Sequence, residues 1–234
     1  TEIAKEAASL ILVEDDLSKM VDAIAMGRKI YTNLKKAIQY IISIHMPIIL
    51  TVFIPLALGW IYPNIFSPVH IIFLELIMGP TCSIIYENEP MEKNTMNKAP
   101  RPLASTFLSL KELFISIIQG LIITAGTLFA YQYAVQNNYS ETHTRSIVFL
   151  TLIVSNISLT LVNRSFFYSV ITTFLYKNNL VLLITSITII LTALLMYIPV
   201  FAIFFGFEKI GQVDLLVCII TGFCSVIWLE ILKW

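Results

Sequence analysis

The sequence predicts an all-α membrane protein: a six-helix transmembrane bundle, preceded by a short cytoplasmic α/β remnant and a stalk helix at the N-terminus. Three observations carry that prediction. Of 234 residues 57% are hydrophobic and only 13% charged, with a mean hydropathy of +0.83, whereas soluble domains carry about a quarter charged residues. Six apolar runs approach the roughly 20 residues that a bilayer core requires. Basic residues gather on one side of those runs. The 15 Lys and Arg balance 15 Asp and Glu, so there is no electrostatic footprint for nucleic acid, and the hydrophobicity is too high for disorder.

The elements follow in order. Residues 1–16 differ from the rest: Thr1 to Ala8 favours helix, Leu10 to Val13 is an apolar run suited to a buried strand, and Glu14, Asp15 and Asp16 end it. Asp16 or Ser18 can cap the next helix, the stalk at 17–39, where Val21, Ile24, Ile30, Leu34 and Ile38 recur at helical spacing between Lys and Arg. This helix runs straight into the membrane domain at 37–234. Between Lys36 and Glu75 there is no Asp, Glu, Lys or Arg, enough chain for two crossings. Trp60, Tyr62, Pro63, Asn64 and Ser67 mark the turn between them. The predicted spans are about 37–62, 68–86, 113–135, 146–163, 180–205 and 213–229. The segment from Glu87 to Lys111, with Pro90, Pro100 and Pro102 among its charges, reads as a cytoplasmic loop.

With a cytoplasmic N-terminus, every Lys and Arg except Arg145 and Lys209 falls inside. The positive-inside rule then places both termini in the cytoplasm. Trp60, Tyr62, Tyr131, Tyr133, Trp228 and Trp234 lie near the predicted interfaces, as aromatic belts do. Cys82, Cys218 and Cys224 form no C-x-x-C pair and read as small apolar residues. No leader is visible at the first residue, and the chain reads as starting within a domain.

Glu75 is the one charged side chain well inside a predicted span. A mid-membrane carboxylate costs roughly 2.5–3.5 kcal/mol, and such acids serve an ion or proton site more often than they bond a neighbouring helix while protonated. Pro80 cannot donate to the carbonyl of Leu76, so the helix is expected to break beside the acid and Gly79 and to free oxygen ligands; an ordinary proline kink is the plainer reading. Pro47 likewise frees the carbonyl of Ser43 near His45, itself a ligand, a proton acceptor or an interior residue. Asn156, with Thr160 and Asn163 on its face, is a further oxygen donor or a helix–helix hydrogen bond. Glu75, His45 and Asn156 are thus the candidate cation or proton site. No nucleotide, dinucleotide or zinc-protease motif occurs, so catalytic and cofactor residues are expected to be absent from this chain.

TEIAKEAASLILVEDDLSKMVDAIAMGRKIYTNLKKAIQYII resembles the end of the phosphorylation (HAD-like) domain and the stalk helix of P-type cation-transporting ATPases, in the branch of the calcium and sodium/potassium pumps. PVHIIFLELIMGPTCSIIYENEP, then APRP, looks like the sixth membrane helix of that family and the loop behind it. The resemblance extends more weakly through the remaining spans. It implies membrane helices five to ten of a ten-span pump that uses Mg²⁺ and ATP through parts outside this chain, since none of Asp15, Asp16, Asp22 and Asp214 begins D-K-T-G-T. Its implied partners are a transported cation (Ca²⁺, another cation or H⁺), the lipid bilayer and the rest of the pump, with no nucleic acid, and its implied location is the plasma (inner) membrane.

By the same resemblance, Glu75 and His45 stand where calcium pumps have asparagine ligands, and Asn156 where they have a glutamate on the eighth helix. Ile48 replaces a fifth-helix glutamate and Gly79 the sixth-helix aspartate. Losing two carboxylates weakens a calcium assignment, because Ca²⁺ takes six to eight oxygens. The competing expectation is a non-enzymatic membrane module or secondary transporter in which Glu75 and His45 relay protons.

Overall fold

The computed structural model describes residues 2–9, 11, 13, 16–102 and 106–233, without the side chains of Ala4, Cys82 and Ser83. Nine α-helices occur among them, and six are long and apolar enough to cross a membrane. No strand occurs among the described residues. Ile11 and Val13 of the expected strand are exposed, while Leu10, Leu12, Glu14 and Asp15 lie outside the described residues, as does Trp234.

After the short α1 (Glu2–Ala7) comes α2 (Ser18–Ala57), a single helix of 40 residues, about 60 Å long at 1.5 Å per residue. The Asp16 carboxylate accepts from the Ser18 N–H at 2.9 Å, and hydrogen bonding from the Ser18 hydroxyl first, then from that N–H, holds its carboxyl below the usual range. Pro47 and Pro55 lie inside α2 without ending it. The carbonyl of Ser43, which lacks its usual helical donor because Pro47 has no N–H, faces the fourth helix, where a Cβ at Gly120 would lie 3.0 Å from it.

α3 (Pro68–Pro80) begins with proline at its first turn and continues into a π-helical stretch, Thr81–Tyr86. The break expected at Pro80 is therefore a change of helical pitch, one of the local adjustments that re-satisfy a backbone interrupted by proline. Residues 87–102 then fold back along α2 with one 3₁₀ turn, Thr95–Asn97.

α4 (Leu110–Gln136) opens on a reciprocal cap: Ser109 N–H donates to Glu112 Oε2 at 2.8 Å and Glu112 N–H to Ser109 Oγ at 3.2 Å. α5 (Glu141–Val162) is capped by Ser140, whose hydroxyl accepts from His143 N–H at 3.1 Å. A short α6 (Val170–Phe174) precedes α7 (Asn179–Tyr197). The single span expected at 180–205 is two helices, because Ile198 turns extended before Pro199 and α8 (Pro199–Phe205) starts afresh. Gly206, at φ +60°, ends α8 in the left-handed region. α9 (Gln212–Ile231) closes the chain.

The closest packing pairs α2 with α4 and α5 with α9, and α4 joins the two pairs. Small residues permit it. A Cβ at Gly120 would meet Met46 Cβ at 2.6 Å, and one at Gly222 would meet Val154 Cγ1 at 2.8 Å and the Thr151 carbonyl at 3.0 Å. Tyr131, expected in an interfacial belt, is buried against Trp60 with ring centroids 5.0 Å apart. α3 leans on this group mainly through its π-helical extension.

Candidate cation site

Glu75 on α3 and His45 on α2 meet in the middle of the membrane-crossing segments, with Nε2 3.1 Å from Oε1. The other imidazole nitrogen, Nδ1, lies 2.8 Å from the carbonyl of Ile41. A carbonyl only accepts, so Nδ1 carries a proton and Nε2 is the atom left facing the carboxylate. The pair is open: His45 is 39% and Glu75 48% exposed, amid the outward apolar residues Ile41, Ile49, Ile72 and Leu76. One turn beyond Glu75, a Cβ built at Gly79 would meet nothing within 4 Å. Ile48, the other departure from the calcium-pump pattern, is core, 5% exposed.

Asn156 does not join them. Its Oδ1 accepts from Tyr40 Oη at 2.7 Å and lies 3.5 Å from Thr160 Oγ1, on the buried seam of α2 and α5. Its Nδ2 is buried with no partner among the described residues. As arranged, Asn156 offers a donor rather than an oxygen ligand. Among the described residues, no three His, Cys, Asp or Glu side chains group as a metal cluster.

Sequence reasoning missed the charges that close the two ends of the bundle. At the end nearest the start of α2, Lys36 Nζ lies 3.0 Å from Glu92 Oε1 and Arg164 Nε 2.7 Å from Glu89 Oε1, all four side chains at most 3% exposed. Ser165 donates to Glu92 at 3.0 Å and Asn178 to Glu89 at 2.9 Å. The loop read as cytoplasmic thus ties α2 to the end of α5 and the start of α7. Burial beside Glu92 and Glu89 also pushes the Tyr176 hydroxyl up. The available signal was charge matching, since Lys36 ends the basic stretch before the uncharged run and Arg164 follows the fourth span directly.

At the opposite end, His143 Nε2 lies 3.1 Å from Asp214 Oδ2, and Tyr133 and Tyr139 donate to Oδ1 at 3.1 and 3.2 Å. Beside them Glu208 accepts from Ser140 Oγ at 2.7 Å and Thr142 Oγ1 at 3.0 Å. His70, buried at the start of α3, accepts at Nδ1 from Ser67 N–H, so its Nε2–H donates to the Phe205 carbonyl at 2.7 Å and pins α3 to α8. A cavity of about 380 Å³ lies between α2, α4, α5 and α9, lined by Gln39, Ser43, Ser116, Gln119 and Asn163 among others. Neither His45 nor Glu75 lines it.

A six-crossing helical bundle with an acid at mid-membrane is the architecture of an ion-translocating membrane domain. Residues 63–234 match the family described as "Cation transporting ATPase, C-terminus". The chain is 30% identical over 165 residues to Calcium-transporting ATPase 1 of Lactococcus lactis subsp. lactis, covering 70% of this chain and 18% of that protein. It is 27% identical over 217 residues to human Calcium-transporting ATPase type 2C member 1 (92% and 23%). To Calcium-transporting ATPase 1 of Yarrowia lipolytica it is 26% identical over 230 residues (98% and 24%). The chain belongs to the C-terminal family of the cation-transporting ATPases, as a C-terminal membrane part of a P-type cation pump. It spans less than a quarter of the length of these relatives, and the match does not favour the secondary-transporter reading.

Proposed function

We propose that this chain supplies the second half of the ion path of an ATP-driven cation pump, with His45 and Glu75 as its contact with the transported ion. The observation that carries the reading is the 3.1 Å approach of an imidazole and a carboxylate from two membrane helices. One of those helices, α2, continues as a single rod well beyond the length a bilayer needs. Phosphorylation in parts of the pump outside this chain, using Mg²⁺ and ATP, moves α2 and thereby changes access to the pair. Asn156 supports α2 through Tyr40 and is a secondary position. The named relatives make Ca²⁺ one candidate cargo, and a proton shared by the pair is another. The location proposed is the plasma (inner) membrane with both termini cytoplasmic, following the Lys and Arg distribution.

The test is phosphoenzyme formation from labelled ATP by the full-length protein, titrated with Ca²⁺, Mn²⁺, Na⁺, K⁺ and pH. One cation, or protons, is expected to stimulate phosphorylation, and Glu75→Gln is expected to change that dependence. Unchanged ion dependence in the variant would remove Glu75 from the site.

A further inference from the structure

Resting on the reading of His45 and Glu75 as the cation site, we infer that the site prefers a first-row transition cation of the Zn²⁺ or Co²⁺ kind to Ca²⁺. Donor type is the first argument. Ca²⁺ takes oxygen ligands alone, six to eight of them, whereas imidazole suits Zn²⁺ and its neighbours. This site offers one nitrogen and one carboxylate, and Ile48 and Gly79 supply no further side-chain oxygen.

The imidazole is also set in the manner of a metal ligand. Histidines that bind metals donate their second ring N–H to a carbonyl or carboxylate, which fixes the tautomer and orients the ring. His45 does so through Nδ1 to Ile41 at 2.8 Å, leaving Nε2 aimed at Glu75. Two adjacent ligands of one metal, with bonds of about 2.0–2.1 Å at angles of about 90–109°, stand roughly 2.8–3.4 Å apart. The observed separation is 3.1 Å, so an ion can enter with little rearrangement of either side chain. Space for its remaining ligands lies beside Glu75 at Gly79, where a Cβ would meet nothing within 4 Å. Water, carbonyls or side chains from the rest of the pump complete the shell. An imidazole–carboxylate pair without thiolate also leaves the ion releasable, as transport requires.

The experiment compares wild type and His45→Asn in the full-length protein, measuring labelled phosphoenzyme against buffered free Zn²⁺, Co²⁺ and Ca²⁺ at fixed pH. Visible absorption of bound Co²⁺ is a second readout. The expected result is half-maximal phosphorylation at a free Zn²⁺ or Co²⁺ concentration lower than that for Ca²⁺ by about tenfold or more. His45→Asn should abolish that preference and the Co²⁺ band, because an amide no longer offers a transition cation its imidazole nitrogen. Equal half-saturation by Ca²⁺ and Co²⁺ in both proteins, or phosphorylation governed by pH alone, overturns the inference and leaves the pump reading standing. Phosphorylation under no condition removes the pump reading instead. In that case the Co²⁺ band still decides, and its absence, or its persistence in His45→Asn, overturns the inference as well.

Discussion

Glu89 and Glu92 stand at one end of the bundle and Glu75 at mid-membrane, and the two environments differ in kind. The first two are sealed: each meets a permanent cation and a second donor, Arg164 with Asn178 for one and Lys36 with Ser165 for the other. Among the described residues Glu75 meets an imidazole, on a face half open beyond α2 and α3. A carboxylate closed by arginine is committed to architecture, since releasing either partner strands a buried charge. A carboxylate facing a ring nitrogen can exchange that partner for a proton or a metal ion. The same residue type therefore holds the frame at one level and is the proposed ion contact at the other.

The sharpest way to break this comparison is to remove one member of a sealed pair. Arg164→Met in the full-length protein leaves Glu89 buried without its cation, and the expected loss of stability is about 3–5 kcal/mol. Replacing both, Arg164→Met with Glu89→Leu, should recover most of that loss, because paired apolar substitutes are often neutral. Glu75→Gln is expected to change stability by no more than about 1 kcal/mol. Denaturation in detergent, read by near-ultraviolet dichroism, checks all three. A Glu75 variant as unstable as the Arg164 variant would make Glu75 another structural carboxylate and erase the contrast.

The second test exchanges charge for space. Gly222→Ala drives a methyl to within 2.8–2.9 Å of Val154 and 3.0 Å of the Thr151 carbonyl, and overpacking of this kind costs about 1–3 kcal/mol. Gly79→Ala meets open space and should leave the thermal midpoint nearly unchanged. If the two variants melt alike, the notch beside Glu75 is as tightly packed as the seam of α5 and α9, and there is no room beside the acid for an ion's further ligands.

These contrasts also explain what was legible in the residues. Lipid forces long uncharged runs, so the six crossings and the junction of α2 with the first of them stand out in composition alone. Hydropathy is blind to backbone pitch, so the apolar residues on both sides of Pro199 read as one span although the chain turns at Ile198. Pro80 marked a disturbance, but a shift into a π turn rather than a break depends on how neighbouring helices hold the backbone. His45 and Glu75 stood out in the residues as polar groups stranded in apolar runs, whereas their 3.1 Å approach depends on how α2 and α3 pack. The separate station of Asn156 was not legible, because Tyr40, 116 positions away, takes its oxygen. The ion pairs of Glu89 and Glu92 were hidden for the same reason, since their partners lie 75 and 56 positions off, at Arg164 and Lys36.

The smallest expected effect lies at the opposite end of the molecule, where Glu208 is an exposed counterpart of the sealed carboxylates. Hydrogen bonds from Ser140 first, then Thr142, with the charge of His143 nearby, hold its carboxyl below the usual range. The sign follows from proton binding: the unfolded chain takes up the proton at a higher pH than the folded one, so folding gains stability where the group is ionised in both. That gain is present above the ordinary glutamate value of about 4.3. It fades as pH falls through the lowered folded value. Glu208→Gln should therefore melt slightly below wild type at neutral pH and equal to it in acid, in paired melting curves. A difference that persists in acid would mean that the side chain joins α5 to the turn before α9 through packing, not through its charge.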